Sequence, residues 1–236
     1  ERSNLIIGTA LVSNTTGQIN TIIGENSMQK NTTGNYNNSL GNNSLLNNTT
    51  GSRNIVVGSK ALLTNTEGND NIALGQQSSF YNETGNYNIA IGSDVLAYNR
   101  LTSGNTAIGY YSMRVSDPDA TGFKYSTALG YQALMGSSTP GNNTGLENTA
   151  IGAKTLLSNT SGSYNTALGN MALESNTSGN SNTALGYYSL HSNELNSNLV
   201  AIGYKSLSST VSGTYGLTAI GDNSMEDNTT GWHNTA

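Results

Sequence analysis

Apolar and polar positions along the chain recur with a period close to seventeen residues. A strand-like pentad, Asn-Thr-Ala-Ile/Leu-Gly and its variants, returns at intervals of 16, 17, 17, 17, 17, 17, 21, 22, 17, 17, 17 and 18 residues. Its last residues are Gly8, Gly24, Gly41, Gly58, Gly75, Gly92, Gly109, Gly130, Gly152, Gly169, Gly186, Gly203 and Gly221. So short a repeat fits one coil of a β-solenoid, with two or three short strands and turns between them. The pattern therefore predicts an all-β fold, a parallel β-solenoid of about 13 coils forming a single repeat domain over residues 1–236.

Two aliphatic columns are predicted to form the inward-facing core of the coils. One column immediately precedes the pentad glycine, and the other follows it by four residues, with Ser79 as a break. In the second half of the chain the first column holds Ile108, Leu129, Ile151, Leu168, Leu185 and Ile202. The second column there includes Leu134, Leu156, Leu173 and Leu190. Because both columns are apolar in nearly every coil, we expect them to be buried together.

The opposite face of the same strand is also apolar. The residue two positions before the pentad glycine is alanine in most coils, as in Ala73, Ala167 and Ala184, with Ser39 as a polar exception. A parallel strand that is apolar on both faces is covered on both sides. We therefore expect the alanine face to meet a neighbouring chain, which predicts a parallel homo-oligomer.

Asparagine and glycine recur in the turns. In Asn-Thr-Thr-Gly turns such as residues 31–34, glycine is expected to supply a positive φ and asparagine to cap the bend with its amide. The pentad glycine is expected to mark a bend or a close backbone approach. One further asparagine position is predicted to stack as a hydrogen-bonded ladder along the axis, comprising Asn20, Asn37, Asn54, Asn71, Asn88, Asn105, Asn148, Asn165 and Asn182. Triplets such as Asn14-Thr15-Thr16 and Asn176-Thr177-Ser178 match a glycosylation acceptor, although the repeat itself demands these residues.

Composition narrows the classes of function. Apolar residues make up 34% and charged residues 10% of the chain, against about 45–50% and about 25% in typical domains. Nine Lys and Arg residues are spread thinly and the net charge is −5, so no nucleic-acid partner is expected. Apolar runs fall short of the ~20 residues that span a bilayer, so we expect no membrane insertion. The chain begins and ends inside repeats and is expected to be a piece of a longer protein.

Catalytic signatures do not emerge from the pattern. The two histidines fall in different coils, and the chain has no cysteine for a disulfide or a thiolate metal site. We therefore expect neither an enzyme nor a cofactor. Asp117 and Asp119 form a tight acidic pair, which could contribute to a Ca²⁺ site or belong to a solvated turn.

Two features depart from the repeat. The coils that follow Gly109 and Gly130 are lengthened within residues 114–121 and 136–144, which predicts a paired bulge that serves recognition or reflects drift at a solvent edge. Six tyrosines also follow pentad glycines, namely Tyr110, Tyr111, Tyr131, Tyr187, Tyr188 and Tyr204. Their rings could stack on sugar faces or cover an alanine seam between chains.

The pentads carry a resemblance. Asn165-Thr166-Ala167-Leu168-Gly169, followed by Ala172-Leu173, resembles the head repeats of trimeric autotransporter adhesins and the repeats of phage and giant-virus tail fibres. The likeness covers the whole chain, and a seventeen-residue period, longer than the usual adhesin head repeat, favours the fibre type. The resemblance implies a left-handed parallel β-roll that trimerises about a common axis.

That resemblance leads to a functional expectation. The chain is expected to be an extracellular shaft or receptor-binding segment of a virion or surface fibre that attaches to a host surface glycan or protein receptor. A bacterial surface adhesin or an extracellular filament subunit is the alternative. An ice-binding solenoid is a remote third hypothesis, because Thr106, Thr127, Thr149, Thr166, Thr183 and Thr218 align. Ile55, Ile72, Ile89 and Val200 interrupt that threonine column.

Overall fold

Each repeat contributes one three-residue strand that pairs in parallel with the strand of the next coil. The computed structural model describes residues 3–9, 13–115, 122–210, 213–228 and 231–236, and the chain is an all-β parallel β-solenoid. Two compact units, Glu1–Phe123 and Lys124–Ala236, are built from the same repeat. The predicted fold class is therefore confirmed.

The first unit contains nine strands among its described residues. They are β1 (Leu5–Ile7), β2 (Thr21–Ile23), β3 (Asn38–Leu40), β4 (Ile55–Val57), β5 (Ile72–Leu74), β6 (Ile89–Ile91), β7 (Thr102–Ser103), β8 (Thr106–Ile108) and β9 (Gly122–Phe123). Strands β1 to β6 and β8 form one parallel sheet, and β7 pairs with β9.

The second unit contains six strands and one short 3₁₀ helix among its described residues. The strands are β10 (Thr127–Leu129), β11 (Thr149–Ile151), β12 (Thr166–Leu168), β13 (Thr183–Leu185), β14 (Val200–Ile202) and β15 (Thr218–Ile220), and the helix is Pro140–Asn142. The register keeps each repeat position in line, so that Ala150, Ala167 and Ala184 are successive partners. A side chain at one position of the coil therefore faces the same position in the coils on either side.

The structure reverses the predicted orientation of the strands. The middle residue of each strand from β2 to β15, apart from the two short strands, is buried, and it is the residue of the alanine column. The aliphatic residue before the pentad glycine faces outward instead, and Leu129, Leu168 and Leu185 are 40–44% exposed. Ile108, Ile151 and Ile202 occupy the same outward position and are half-buried. The assignment of these six residues to the core was wrong.

The narrow interior of a coil explains the reversal. The second aliphatic column is buried as predicted, with Leu156, Leu173 and Leu190 fully covered and Leu134 8% exposed. A third buried column precedes it by one residue and holds small side chains such as Ser44, Ala61 and Ala172. Because leucine and methionine fill the interior from this segment, the strand across from it has room for alanine in most coils. Period-two alternation alone does not say which face is inside.

Burial also stabilises an unusual backbone conformation. The leucines of the second column lie in the left-handed region, with φ of 49° at Leu62, 51° at Leu156 and 52° at Leu173. This conformation costs a non-glycine residue roughly 1–2 kcal/mol. Complete burial of a leucine side chain contributes about 1.5–3 kcal/mol. The two effects are of similar size, so burial of the leucine side chains offsets the cost of the strained backbone in this column.

Two asparagine ladders run through the interior. The predicted ladder is confirmed: the Nδ2 of Asn54 donates to the Oδ1 of Asn37 at 3.1 Å, and the Nδ2 of Asn71 donates to the Oδ1 of Asn54 at 3.2 Å. The turn asparagines form a second ladder that the pattern did not reveal, with Asn48 Nδ2 donating to Asn31 Oδ1 at 2.7 Å. The same Nδ2 donates to the carbonyl of Gly51 at 2.9 Å, which confirms the predicted cap.

Burial of the turn asparagines bears on the glycosylation motif. Asn176 is fully buried, and its Nδ2 donates to Asn159 Oδ1 at 2.7 Å and to the carbonyl of Gly179 at 3.1 Å. A side chain held in this way is closed to a modifying enzyme in the folded protein. The geometry favours the interpretation that the triplet at residues 176–178 exists for the turn. Asn14 is half-buried, and its Nδ2 donates to the carbonyl of Gly17.

The pentad glycines and the turn glycines are required for different structural reasons. The pentad glycines have positive φ, as in Gly169 at 138°, and a Cβ there would lie 2.6 Å from the carbonyl carbon of Gly186. Bend and close approach are both confirmed. The turn glycines of residues 34, 51, 68, 85, 162 and 179 do not have the predicted positive φ. They are required for space, since a Cβ on Gly162 would lie 2.5 Å from the carbonyl oxygen of Gly179.

Replacing a pentad glycine is expected to destabilise the second unit. Gly169→Ala should cost about 1–3 kcal/mol for the backbone conformation alone, with a further cost for separating the coil from Gly186. Gly141→Ala is the matched control, because Gly141 is exposed, its φ is not positive and a Cβ there meets nothing within 4 Å. It should change stability by less than about 0.5 kcal/mol. Denaturant titration of both variants tests this, and equal stability would contradict it.

Candidate functional site

The outer face of the strands carries exposed aliphatic side chains in each unit. In the second unit one outward row holds Leu129, Ile151, Leu168, Leu185, Ile202 and Ile220. Strands β10 to β15 carry no charged residue, and the neighbouring outward row is threonine apart from Val200. In the first unit the corresponding rows include Ile7, Leu40 and Val57, with Ile55 beside them, each at least 40% exposed.

This face is unusual for a parallel sheet. Parallel strands ordinarily have both faces covered, and a large exposed apolar patch marks an interaction site. Successive side chains in a row are separated by one strand spacing, about 4.8 Å. Each unit therefore presents a regular aliphatic strip with threonine or aliphatic residues alongside. The repeat pattern revealed that both strand faces were apolar but assigned the aliphatic one to the interior.

The threonine alignment is confirmed by the strand register. Thr149, Thr166 and Thr183 are partners in successive strands, and the next partner is Val200. The threonines lie beside the aliphatic row on the outer face. The face therefore alternates hydroxyl and aliphatic rows in the second unit, rather than offering a surface of threonine alone.

The predicted tyrosine sites separate into distinct clusters. Tyr187 packs against Tyr188 with ring centroids 4.3 Å apart and stacks on Tyr204 at 5.5 Å. His191, which the pattern did not associate with them, stacks on Tyr188 at 4.3 Å. The hydrogen bond with Tyr187, followed by the charge of that neighbour, raises the pKa of Tyr188. This direction takes the pKa further from neutral pH, where a tyrosine hydroxyl already keeps its proton.

The other predicted tyrosines lie elsewhere. Tyr110 and Tyr111 stack with their centroids 3.9 Å apart in the first unit, and Tyr131 is exposed in the second. These rings cannot cover an alanine seam between chains, because the alanine column lies inside the coil. The hypothesis that they contact sugars stays a prediction.

The acidic pair and the two insertions are the remaining predicted features, and only part of them lies within the described residues. Asp117 and Asp119 lie outside the described residues, as does most of the insertion at 114–121. The insertion at 136–144 is organised by the buried Asn143, whose Oδ1 accepts from the Ser137 amide at 2.9 Å. The Nζ of Lys124 donates to the Asn143 carbonyl at 2.7 Å. Ser138, Thr139 and Asn142 are exposed at its surface.

Ion pairs link neighbouring coils at the surface. Arg53 pairs with Asp70 at 2.6 Å, and Lys205 pairs with Glu226 at 3.1 Å. The hydrogen bond to each carboxylate raises the pKa of Arg53 and that of Lys205. Exposed pairs of this kind contribute about 0–1 kcal/mol each. They favour the register of the coils without deciding the fold.

Two further kinds of site are absent from the described ranges. No group of three or more His, Cys, Asp or Glu side chains is placed there to hold a metal ion. The part of the chain that the structure describes also contains no helix with the length and apolar character to cross a bilayer.

Comparison of the chain with protein-family models, with curated proteins and with solved structures gives no match. The functional argument therefore rests on the geometry of the surface and on the repeat pattern.

Proposed function

We propose that the chain is a structural segment of an extracellular or virion fibre, which associates in parallel with two further copies of itself and takes part in attachment to a host surface. The observation that carries this proposal is the uncharged aliphatic strip on the outer face of the strands. A non-catalytic role agrees with a surface made of repeated structural positions.

A second copy of the chain suits this strip better than an unrelated partner does. Every copy carries rows with the same spacing of about 4.8 Å. Two copies aligned in parallel therefore bring one aliphatic side chain against another at every coil. Such an arrangement covers the second face of each parallel sheet, as these sheets require. The number three and the extracellular location follow from the resemblance of the pentads to tail-fibre and adhesin repeats.

Sedimentation equilibrium of the purified chain tests the association. We expect a species three times the 24.6 kDa of one chain, because burial of the strips removes apolar surface from water. Far-ultraviolet circular dichroism on the same samples should show β structure throughout. A folded chain that stays monomeric at every concentration would refute the proposal.

A further inference from the structure

A groove on the first unit lies outside the outer strand face. It has a volume of about 120 Å³ and is lined by Gln77, Phe80, Tyr81, Asp94, Tyr98 and Arg114, with Ala97 beneath them. Its residues follow the pentad glycines Gly75, Gly92 and Gly109 rather than preceding them. This volume is below the roughly 300 Å³ at which enclosed small-molecule pockets begin. A ligand would therefore rest one face in the groove and keep its other face in solvent.

One small residue in a column of large ones creates the groove. Backbone hydrogen bonds between neighbouring coils align the residues of one repeat position. The amide of Asn47 donates to the Leu63 carbonyl, that of Thr64 to the Phe80 carbonyl, and that of Tyr81 to the Ala97 carbonyl. This column reads Leu46, Leu63, Phe80, Ala97 and Arg114. Ala97 is the one short side chain in this series and leaves a gap between Phe80 and Arg114.

Aromatic rings form the wall of the gap. Tyr81 and Tyr98 stack with their centroids 5.1 Å apart, and Phe80 meets Tyr81 edge-on at 4.6 Å. The guanidinium of Arg114 lies 5.2 Å from the Tyr98 ring centroid and 4.6 Å from that of Tyr111. Tyrosine combines a large apolar surface with a polar hydroxyl at its edge. A pyranose ring has the complementary character, with an apolar C–H face and a rim of hydroxyls.

Polar groups around the rings lack partners within the protein. Among the described residues, the side chains of Gln77 and Asp94 make no hydrogen bond or ion pair, and Arg114 Nε is buried without an acceptor. The Nε of Arg114 is covered, whereas Gln77 and Asp94 are partly exposed and keep their hydrogen-bonding capacity for a ligand. The formal charges of Asp94 and Arg114 cancel. This balance favours a neutral polyhydroxyl ligand over an acidic one.

We propose that this groove binds one neutral hexopyranose residue of a surface glycan. The C–H face of the sugar packs against the tyrosine rings, and its hydroxyls exchange hydrogen bonds with Asp94, Gln77 and Arg114. This inference rests on the attachment role proposed above and names the chemistry of its target. The groove is formed by a single chain and does not need the association of chains.

Filling the groove provides the test. The probes are the methyl pyranosides of glucose, galactose and mannose, with binding to the full chain followed by saturation-transfer difference NMR and titration. At least one of the three should bind. Ala97→Leu should weaken its binding by at least about tenfold, because the larger side chain fills the space that the sugar would occupy, and a tenfold change in affinity is about 1.4 kcal/mol. The variant should fold, because Leu46 and Leu63 already occupy the equivalent position. Tyr98→Thr, which copies the residue found at Thr64 two coils earlier, is a second variant with the same expected loss.

Leu63→Ala is the matched control. It places alanine at the same repeat position one coil before Phe80, away from the tyrosine pair, and should leave sugar binding unchanged. Binding that survives Ala97→Leu, or absent binding of all three glycosides, would overturn the proposal. Tighter binding of a methyl glucuronide than of the neutral glycosides would overturn it as well. Sedimentation of the same samples reports separately on the fibre proposal, since a monomer that binds sugar would refute association and leave the groove in place.

Discussion

The double variant Leu168→Asp/Leu185→Asp is expected to change the associated protein into folded single chains. Both leucines face outward, about 40% exposed, in successive strands. In the single chain an aspartate there stays in water, and its lower strand propensity costs at most about 1 kcal/mol per site. In the associated protein each carboxylate would be buried without a partner, which costs several kcal/mol per ion. With two sites per chain, association should weaken by more than about a thousandfold, as sedimentation over a concentration series would show.

Ala167→Asp is the matched control for that variant. It introduces the same residue one position earlier, where the side chain is fully buried between Ala150 and Ala184 of the neighbouring strands. The added volume and charge should unfold the second unit, which circular dichroism and proteolysis would detect. The opposite result, a folded Ala167 variant beside an unfolded leucine variant, would restore the orientation in which the leucines are inside. Leu168→Thr/Leu185→Thr, which keeps strand propensity, should also weaken association.

The repeat made most of the fold predictable. The spacing of the pentad glycines determines coil length. The expectation of two or three strands per coil was wrong for most of the described coils, which hold one three-residue strand. The position of Asn54 between Asn37 and Asn71 in the repeat predicted their contacts, because stacked coils place equal positions above one another. Leu156 and Leu173 were predicted correctly for the same reason.

Properties that depend on the width of the coil were not predictable in this way. Leu168 and Ala167 alternate along one strand, and their order does not say which of them points inward. That choice depends on how far Leu173 reaches across the interior, which the structure shows and the spacing does not. Gly162 is a similar case, since its requirement for space depends on the distance to the next coil.

The groove was not predictable for a different reason. The tyrosines that stand out in the repeat directly follow pentad glycines, whereas Tyr81 and Tyr98 lie later in the coil. The signal in the sequence was Ala97, a small residue in a column that from residue 46 to residue 114 otherwise holds leucine, phenylalanine and arginine. In a stack of equal coils, a small residue between large ones predicts a surface gap.

Interrupting the asparagine ladder is expected to destabilise the second unit strongly. Asn165 Nδ2 donates to Asn148 Oδ1 at 3.1 Å and to the Gly179 carbonyl at 2.9 Å, and its Oδ1 accepts from the Asn182 amide at 3.0 Å. Asn165→Ala removes all three bonds inside a fully buried interior. The buried Asn182 amide is left without a partner, which costs about 1–3 kcal/mol. The Gly179 carbonyl keeps the Nδ2 of Asn176 at 3.1 Å, so its lost bond costs only about 0.5–1.5 kcal/mol. A loss of roughly 1.5–4.5 kcal/mol in the free energy of unfolding is therefore expected.

Asn170→Ala is the control for the ladder variant, because Asn170 is exposed in the adjoining turn of the same unit. Its replacement should change the free energy of unfolding by less than about 0.5 kcal/mol.

Asn165→Leu separates lost hydrogen bonds from lost volume, since Leu199 occupies the same repeat position after Asn182 and is fully buried. Leu199 is tolerated because its own amide still donates to Asn182 Oδ1, at 3.0 Å, and the next residue in the column is Leu217, also apolar. At position 165 leucine would face asparagine on both sides, so it should remain destabilising. If denaturant titration gave Asn165→Leu the stability of the parent, the ladder would contribute packing rather than hydrogen bonding.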